Sequence, residues 1–418
     1  MKKKNREIIR EFVPEPLVEK TLRHFLDDEP AINALSIGSA VFQLEQATKG
    51  FRINSAVLPI YGSTGLSYDL DRLSRAIQEL LIFTLAEDIS IQFRELALPN
   101  IPTGRVARDA LKKTDAVCLF SGGTDSYAGI LHASNQWPDV QGVFCAHSDQ
   151  ARIIHIVKHL ERRLLVPNGI QLHKQLVHRM GARGYAQLRG FLYLLSAAGW
   201  VHKLQATKLI VTECGPTMYQ PRFSPLDAVT MTTHPKVVRL AESVMNLLLG
   251  RNIEVVTPFE DLTKAEVIAI SPLKSGLKFT HSCITQRFGN HDGTCYGCVL
   301  RRLATTAADV EDVKYLKNPI AKEATHCGNL LTLLRFSLDL LTRFEEMDEY
   351  EVGTITYYDK KDLFSRFALD NFAAIHRLVL EGRMIQRGVR RLYETAISRI
   401  GNSVLEDRLN KLQTSHSE

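Results

Sequence analysis

The alternation of hydrophobic and polar positions divides the 418-residue chain into three stretches. Between about residues 30 and 98, apolar runs at 34–43 and 55–60 predict strands, apolar positions at helical spacing predict a helix over 69–85, and the alternation at 89–93 predicts another strand. Pro99, Asn100, Pro102 and Gly104 have the turn chemistry of a linker. After it the pattern becomes strand 116–120, helix from Ser126, strand 140–146, helices 153–165 and 185–206, and strands 208–212 and 253–256. Strands alternating with helices predict a parallel sheet covered on both faces, with ligands at the carboxyl ends of its strands. From residue 303 the pattern is amphipathic and helical, at 330–344, 364–380 and 383–400, apart from a strand-like run at 353–358. The expected organisation is a small α/β domain at 1–111, a parallel-sheet α/β domain at 112–302 and a mostly helical domain at 303–418.

Composition narrows the class. With 45% hydrophobic and 23% charged residues, a disordered, collagenous or coiled-coil chain is excluded. The apolar run 330–341 is too short to span a membrane and contains Arg335 and Asp339, so a packed helix is expected there. The basic start is followed at once by Glu7, Glu11 and Glu15, not by the apolar stretch of a secretory signal, and a cytoplasmic location is expected. Seven cysteines are too few for a disulfide scaffold, and Cys118 and Cys145 lie in strand-like runs where free thiols commonly sit. The formal charge of +6 gives a mild preference for anionic partners such as nucleotides or RNA.

Candidate chemistry begins where the strand at 116–120 runs into Ser121-Gly122-Gly123-Thr124-Asp125-Ser126 and then a helix. Glycines at that junction let backbone N–H groups approach an anion, the helix N-terminus attracts phosphate, and the Ser121 and Ser126 hydroxyls can donate to it. An ordinary strand-to-helix turn is the bland alternative. The loop lacks the lysine and pattern of a Walker loop, so γ-phosphate transfer is not implied.

Downstream, Thr263 and Glu266 form a capping-box pattern that fixes Lys264 in a first helical turn, ended by Pro272. A lysine there can reach a phosphate; the competing reading is surface charge. Cys283 precedes Cys295 and Cys298, whose C-x-x-C turn has zinc-ligand spacing, and His291 or Asp292 could supply a fourth ligand, although aspartate is uncommon beside three thiolates. A metal-free knuckle is the alternative.

The loop resembles the S-G-G-x-D-S loop of the PP-loop ATP pyrophosphatases, of the adenine nucleotide alpha hydrolase-like fold, which split ATP into AMP and pyrophosphate to activate a carboxylate or carbonyl oxygen. With the Asp261-Leu262-Thr263-Lys264-Ala265-Glu266 run and Ser282-Cys283 through Cys298-Val299-Leu300-Arg301-Arg302, residues 115–302 resemble the 7-cyano-7-deazaguanine synthases of the queuosine pathway, particularly their longer relatives. The resemblance implies ATP-dependent adenylation of 7-carboxy-7-deazaguanine, amide formation with ammonia and a second ATP-dependent dehydration to the nitrile. It implies ATP, Mg²⁺ and Zn²⁺ as cofactors. The family's zinc site has four cysteines; Asp292 stands where one of them is expected. Long relatives are associated with antiphage operons, where the adenylate can be joined to an amine of a partner protein.

On that resemblance Ser121, Gly122, Gly123, Thr124 and Ser126 are expected around the phosphates, with Asp125 on Mg²⁺ or holding the loop, Lys264 on the phosphate charge and Arg189 near the nucleotide. Ser148 and Asp149 follow the second strand, near the expected adenosine or as helix caps. Glu213, Thr232, Thr233 and His234 follow a later strand and are candidates for the deazaguanine, Glu213 as acceptor from its N–H edge. Exposed helix arginine is the competing reading of Arg189, and a structural histidine that of His234. Two other function classes stay open. One is tRNA modification, with Arg383, Arg387, Arg390 and Arg391 as a basic face, although sulfur transfer would need two reactive cysteines at the ATP site and Cys118 and Cys214 read as buried or isolated. The other is a nucleotide-sensing assembly module. No membrane partner is expected, and a nucleic acid less than a small molecule.

Overall fold

A computed structural model describes residues 7–15, 22, 24–25, 28–62, 68–98, 112–147, 151–177, 186–221, 231–285, 290–347 and 358–414. The first unit is a parallel three-stranded sheet in the order β1 (Glu7–Phe12), β2 (Phe51–Tyr61), β3 (Ser90–Leu96), with helices α1 (Glu29–Thr48) and α2 (Leu70–Leu85) in its crossovers. The run 34–43, expected as a strand, lies inside α1, a correction with a clear cause. Residues 31–45 are all buried, so this helix has no polar stripe and its sequence shows a continuous apolar run instead of a 3.6-residue period.

The second sheet is also parallel. Its strands are β4 (Ala116–Leu119), β5 (Gln141–His147), β6 (Leu172–Val177), β7 (Lys208–Ile210) and β8 (Glu254–Val256), in the order β6-β5-β4-β7-β8. The chain starts at the centre, winds outward to β6 and returns to β7, which leaves a topological switch point between β4 and β7. The helices are α3 (Thr124–Gln136), α4 (Ala151–Leu160), α5 (Arg189–Lys203), α6 (Gly215–Tyr219), α7 (Pro235–Leu249), α8 (Lys264–Ala269) and α9 (Tyr296–Ala307). Strand β6 and helix α7 go beyond the expected pattern; β6 is an edge strand whose His173, Lys174 and Gln175 interrupt its apolar positions.

Alternate residues of this sheet feed two cores. Val117, Val143 and Leu209 join Leu35 of α1, Phe191 and Leu195 of α5 and Val244 of α7. Cys118, Phe144 and Ile210 join Tyr127 of α3, Ile268 of α8 and the C-terminal helices α10 (Gly328–Thr342) and α11 (Lys361–Leu380), followed by α12 (Arg387–Ile400) and α13 (Asn402–Thr414). Each flanking unit therefore covers one face of the central sheet through a continuous core. The contact is close: a Cβ at Gly38 of α1 would lie 2.9 Å from the Leu195 Cβ.

As expected, Leu330, Leu333 and Leu334 are packed in the core on α10. The linker residues 99–104 and the strand-like residues 353–357 lie outside the described residues. No helix among the described residues is long and apolar enough to cross a membrane.

Candidate functional site at the sheet's switch point

The loop after β4 sits at the switch point, and its conformation follows from its residues. Gly122 has φ +79°, a left-handed conformation in which a larger residue is strained by roughly 1–2 kcal/mol. Gly123 caps α3 without a side-chain hydrogen bond. The Gly123 N–H donates to Ser121 Oγ at 3.3 Å, Ser121 Oγ donates to Ser126 Oγ at 3.1 Å, and Ser126 Oγ also donates to the Gly123 carbonyl at 3.1 Å. Two hydroxyls and a helix N-terminus thus meet in one loop, the arrangement that holds an anion in fixed dipoles. Thr124 points elsewhere, its Oγ1 3.1 Å from Ser282 Oγ and 3.4 Å from Thr280 Oγ1, and the His281 N–H donates to the Gly122 carbonyl at 2.9 Å. The segment leading into the cysteine knuckle therefore closes on this loop.

Lys264 is brought to the same place. The capping box forms as the sequence predicts: Thr263 Oγ1 accepts from the Glu266 N–H at 3.2 Å and Glu266 Oε2 from the Thr263 N–H at 2.8 Å. Its Nζ then donates to both Asp125 oxygens at 2.5 Å. Burial works against the ammonium, but the Asp125 charge outweighs it and holds the Lys264 pKa above the usual lysine range. Lys264 thus takes one acceptor site on each Asp125 oxygen, and the remaining lone pairs are those with which the carboxylate would meet a Mg²⁺.

Glu213 follows β7 across the switch point. Burial, with Asp125 nearby, pushes its carboxyl up to about 7 against the opposing charges of Lys264 and Arg189. Arg189, at the start of α5, is exposed yet belongs to this charged group. An acceptor role for Glu213 requires the carboxylate, so kcat/KM for a substrate with an N–H edge should fall as pH drops through about 7. In Glu213→Gln that limb should vanish from the pH profile.

The turn bearing Thr232, Thr233 and His234 packs on the start of α5. A Cβ at Gly190 would lie 1.7 Å from the Thr232 carbonyl oxygen, so the two backbones can meet only at a glycine. His234 caps α7, its Nδ1 accepting from the Lys236 N–H at 3.2 Å, with its ring 5.0 Å from Phe83 of α2 and 5.7 Å from Tyr219. Burial lowers its pKa to about 4, with help from Arg239, and the ring is neutral at pH 7. Among the described residues, its Nε2 and the neighbouring Thr233 Oγ1 are buried without a hydrogen-bond partner, an arrangement that costs free energy until a polar group meets them. Ser148 and Asp149 lie outside the described residues.

Cys283, Cys295 and Cys298 are buried, and their Sγ atoms all lie within 4.8 Å of one another. The Cys283–Cys295 separation is 3.9 Å, close to the roughly 3.8 Å between sulfurs sharing a tetrahedral zinc at 2.3 Å. The hydrogen bond from Cys298 pulls the Cys295 thiol down to about 5 and pushes Cys298 up, so the trio favours a thiolate. The donor set fits zinc. Neither candidate for a fourth ligand belongs to this group. The Asp292 carboxylate accepts from the Thr294 N–H at 3.0 Å and from its hydroxyl, with Lys317 at 3.8 Å, while His291 Nε2 accepts from the Ser282 N–H at 3.2 Å. Asp292 instead donates its N–H to Cys283 Sγ at 3.4 Å.

Residues 149–309 match the family model of the queuosine biosynthesis protein QueC. The chain carries a QueC-family domain. The match implies an ATP-dependent ligase-type enzyme of 7-cyano-7-deazaguanine synthesis. It takes in Arg189, Glu213, Lys264 and the three cysteines, while the loop at 121–126 precedes it and joins through β4.

The structure also brings to Lys264 residues from outside the matched stretch that the sequence does not reveal. Arg366, Asp370 and Arg408, all in the C-terminal helices, reach Thr263 and Glu266 on either side of Lys264. Nothing local announces them. Conversely, the thiols nearest the loop are held protonated: burial raises Cys118, and burial with the Asp125 charge raises Cys214 to about 12.

Proposed function

We propose that this chain adenylates the carboxylate of 7-carboxy-7-deazaguanine with ATP and passes the acyl group to an amine. A carboxylate resists substitution because oxide would have to leave. Its oxygen attacks the α-phosphorus, pyrophosphate leaves, and the resulting acyl-adenylate then loses AMP when the amine's lone pair reaches the carbonyl carbon. In this reading the loop amides, Ser121 and Ser126 hold the departing pyrophosphate, and Lys264 counters the charge developing there. Mg²⁺ accompanies the triphosphate as its counter-ion. Arg189 lies at the nucleotide, and Glu213, Thr232, Thr233 and His234 receive the deazaguanine edge. Zinc would be held by Cys283, Cys295 and Cys298 and would serve to tie the knuckle beneath the loop.

The observation that carries this reading is the meeting of Ser121, Ser126, Asp125 and Lys264 at the switch point, on a chain with a QueC-family domain. The unpaired polar atoms of Thr233 and His234, on the turn against the start of α5, support a polar ligand group reaching that turn. Sulfur transfer to tRNA is disfavoured by the raised thiols of Cys118 and Cys214. The amine is ammonia or a group on a partner protein; it gives up a proton as AMP leaves, and the product is a deazaguanine–protein conjugate or the primary amide, whose oxygen a second adenylation carries off as AMP to leave the nitrile. The units at 1–111 and 303–418, beyond the synthase-like core at 112–302, favour the conjugate and a role in antiphage defence. The cytoplasm, with its ATP, is the compartment this reading assigns.

The test is mass spectrometry after incubation with Mg-ATP, 7-carboxy-7-deazaguanine and either ammonium or candidate acceptor proteins. Conversion of the acid to its amide, its nitrile or a protein adduct is expected. An acid left unconverted with every amine source would contradict the reading.

A further inference from the structure

Helix α8 has six residues, fewer than the roughly 12 an isolated helix needs. Its capping box supplies two end bonds, but both members of the box are held a second time, from the C-terminal helices. Thr263 Oγ1 donates to Asp370 Oδ2 of α11 at 2.5 Å. Arg408 of α13 donates from Nε to Asp370 Oδ1 at 2.7 Å and from NH2 to Glu266 Oε1 at 2.7 Å. Arg366 of α11 donates to Glu266 Oε2 and, at 2.8 Å, to the Asp261 carbonyl. Asp370 and Arg408 are only 4% and 6% exposed, so these are desolvated charges with little freedom to rearrange. Lys264, between the two gripped residues, points the other way, into Asp125 of the loop.

A buried ion network is a weak source of net stability, because desolvation offsets most of its attraction, but it fixes geometry. We propose that Arg408 and Asp370, with Arg366, are positioning residues that set Lys264 against the loop at 121–126, making the C-terminal helices part of the adenylation machinery. The proposal rests on the role given to Lys264 above. A displacement of about 1 Å at such a group is enough to cost about 100-fold in rate, and among the described residues the matched stretch holds the Thr263 and Glu266 side chains by the capping box alone.

The experiment is a double-mutant cycle on AMP formation. Arg408→Ala should lower kcat at least about tenfold with KM for the carboxylate nearly unchanged; Arg408→Lys, which restores a cation and one contact, should recover part of it. In a background of Lys264→Met with Asp125→Asn, where the buried pair is removed whole, the same change should lower the residual rate by no more than about twofold, because its effect passes through Lys264. An equal loss in both backgrounds would overturn the proposal. Hydrogen exchange gives a second readout that does not depend on the reaction: amides of 264–269 should exchange faster in Arg408→Ala while those of α3 and α10 keep their protection. Unchanged exchange in α8, or uniform acceleration along the chain, would overturn it. If the wild type forms no AMP, the proposed function fails, and exchange alone decides the positioning claim.

Discussion

Lys264→Met should lose both fold stability and adenylation, whereas Lys264→Met combined with Asp125→Asn should regain stability and remain inactive. The single change leaves the Asp125 carboxylate, 7% exposed in its side chain, without its cation and with Glu213 nearby. Breaking one side of a buried pair typically costs about 3–5 kcal/mol. Removing both charges with side chains of similar volume relieves that penalty and does nothing for the phosphate. AMP formation should therefore stay down by about 10²- to 10³-fold in both variants, the usual effect of deleting one preorganised donor. Thermal melting separates the two variants, and chromatography of AMP unites them. Full AMP formation by the double variant would remove Lys264 from the chemistry.

Stripping metal from the protein should loosen both the knuckle and the loop. A bound zinc at a thousandfold excess over its Kd contributes roughly 4 kcal/mol, equivalent to a melting shift on the order of 5 °C in a chain of this length. Elemental analysis should find about one zinc per chain, and chelation or Cys295→Ser with Cys298→Ser should lower the melting temperature accordingly. Because Ser282 and His281 contact Thr124 and Gly122, the loop's amides should exchange faster in the stripped protein. A metal-free protein that melts unchanged would show the trio to be a packed thiol cluster.

What the sequence makes legible here is what is local. The loop at 121–126 can be read because glycine, hydroxyls and a helix start lie within six residues, and Lys264 because its capping box spans four. The parallel sheet follows from apolar runs alternating with helices, and its switch point brings Asp125 and Lys264 together across 139 positions of chain. Helix α1 escapes because burial on every side erases its period. Arg408 escapes for the opposite reason: its partner Glu266 is 142 residues away, and an arginine on an amphipathic helix looks like any solvated charge. Asp292 is a plausible ligand by position, yet its own turn claims it through the N–H and hydroxyl of Thr294, two residues on.

The most direct measurement is the identity of the nucleotide product with 7-carboxy-7-deazaguanine present. Adenylation at this loop predicts AMP and pyrophosphate in equal amounts, formed only with the carboxylate and at least about 100-fold reduced in Ser121→Ala with Ser126→Ala. ADP and phosphate as the products, or AMP formed undiminished by that variant, would contradict it.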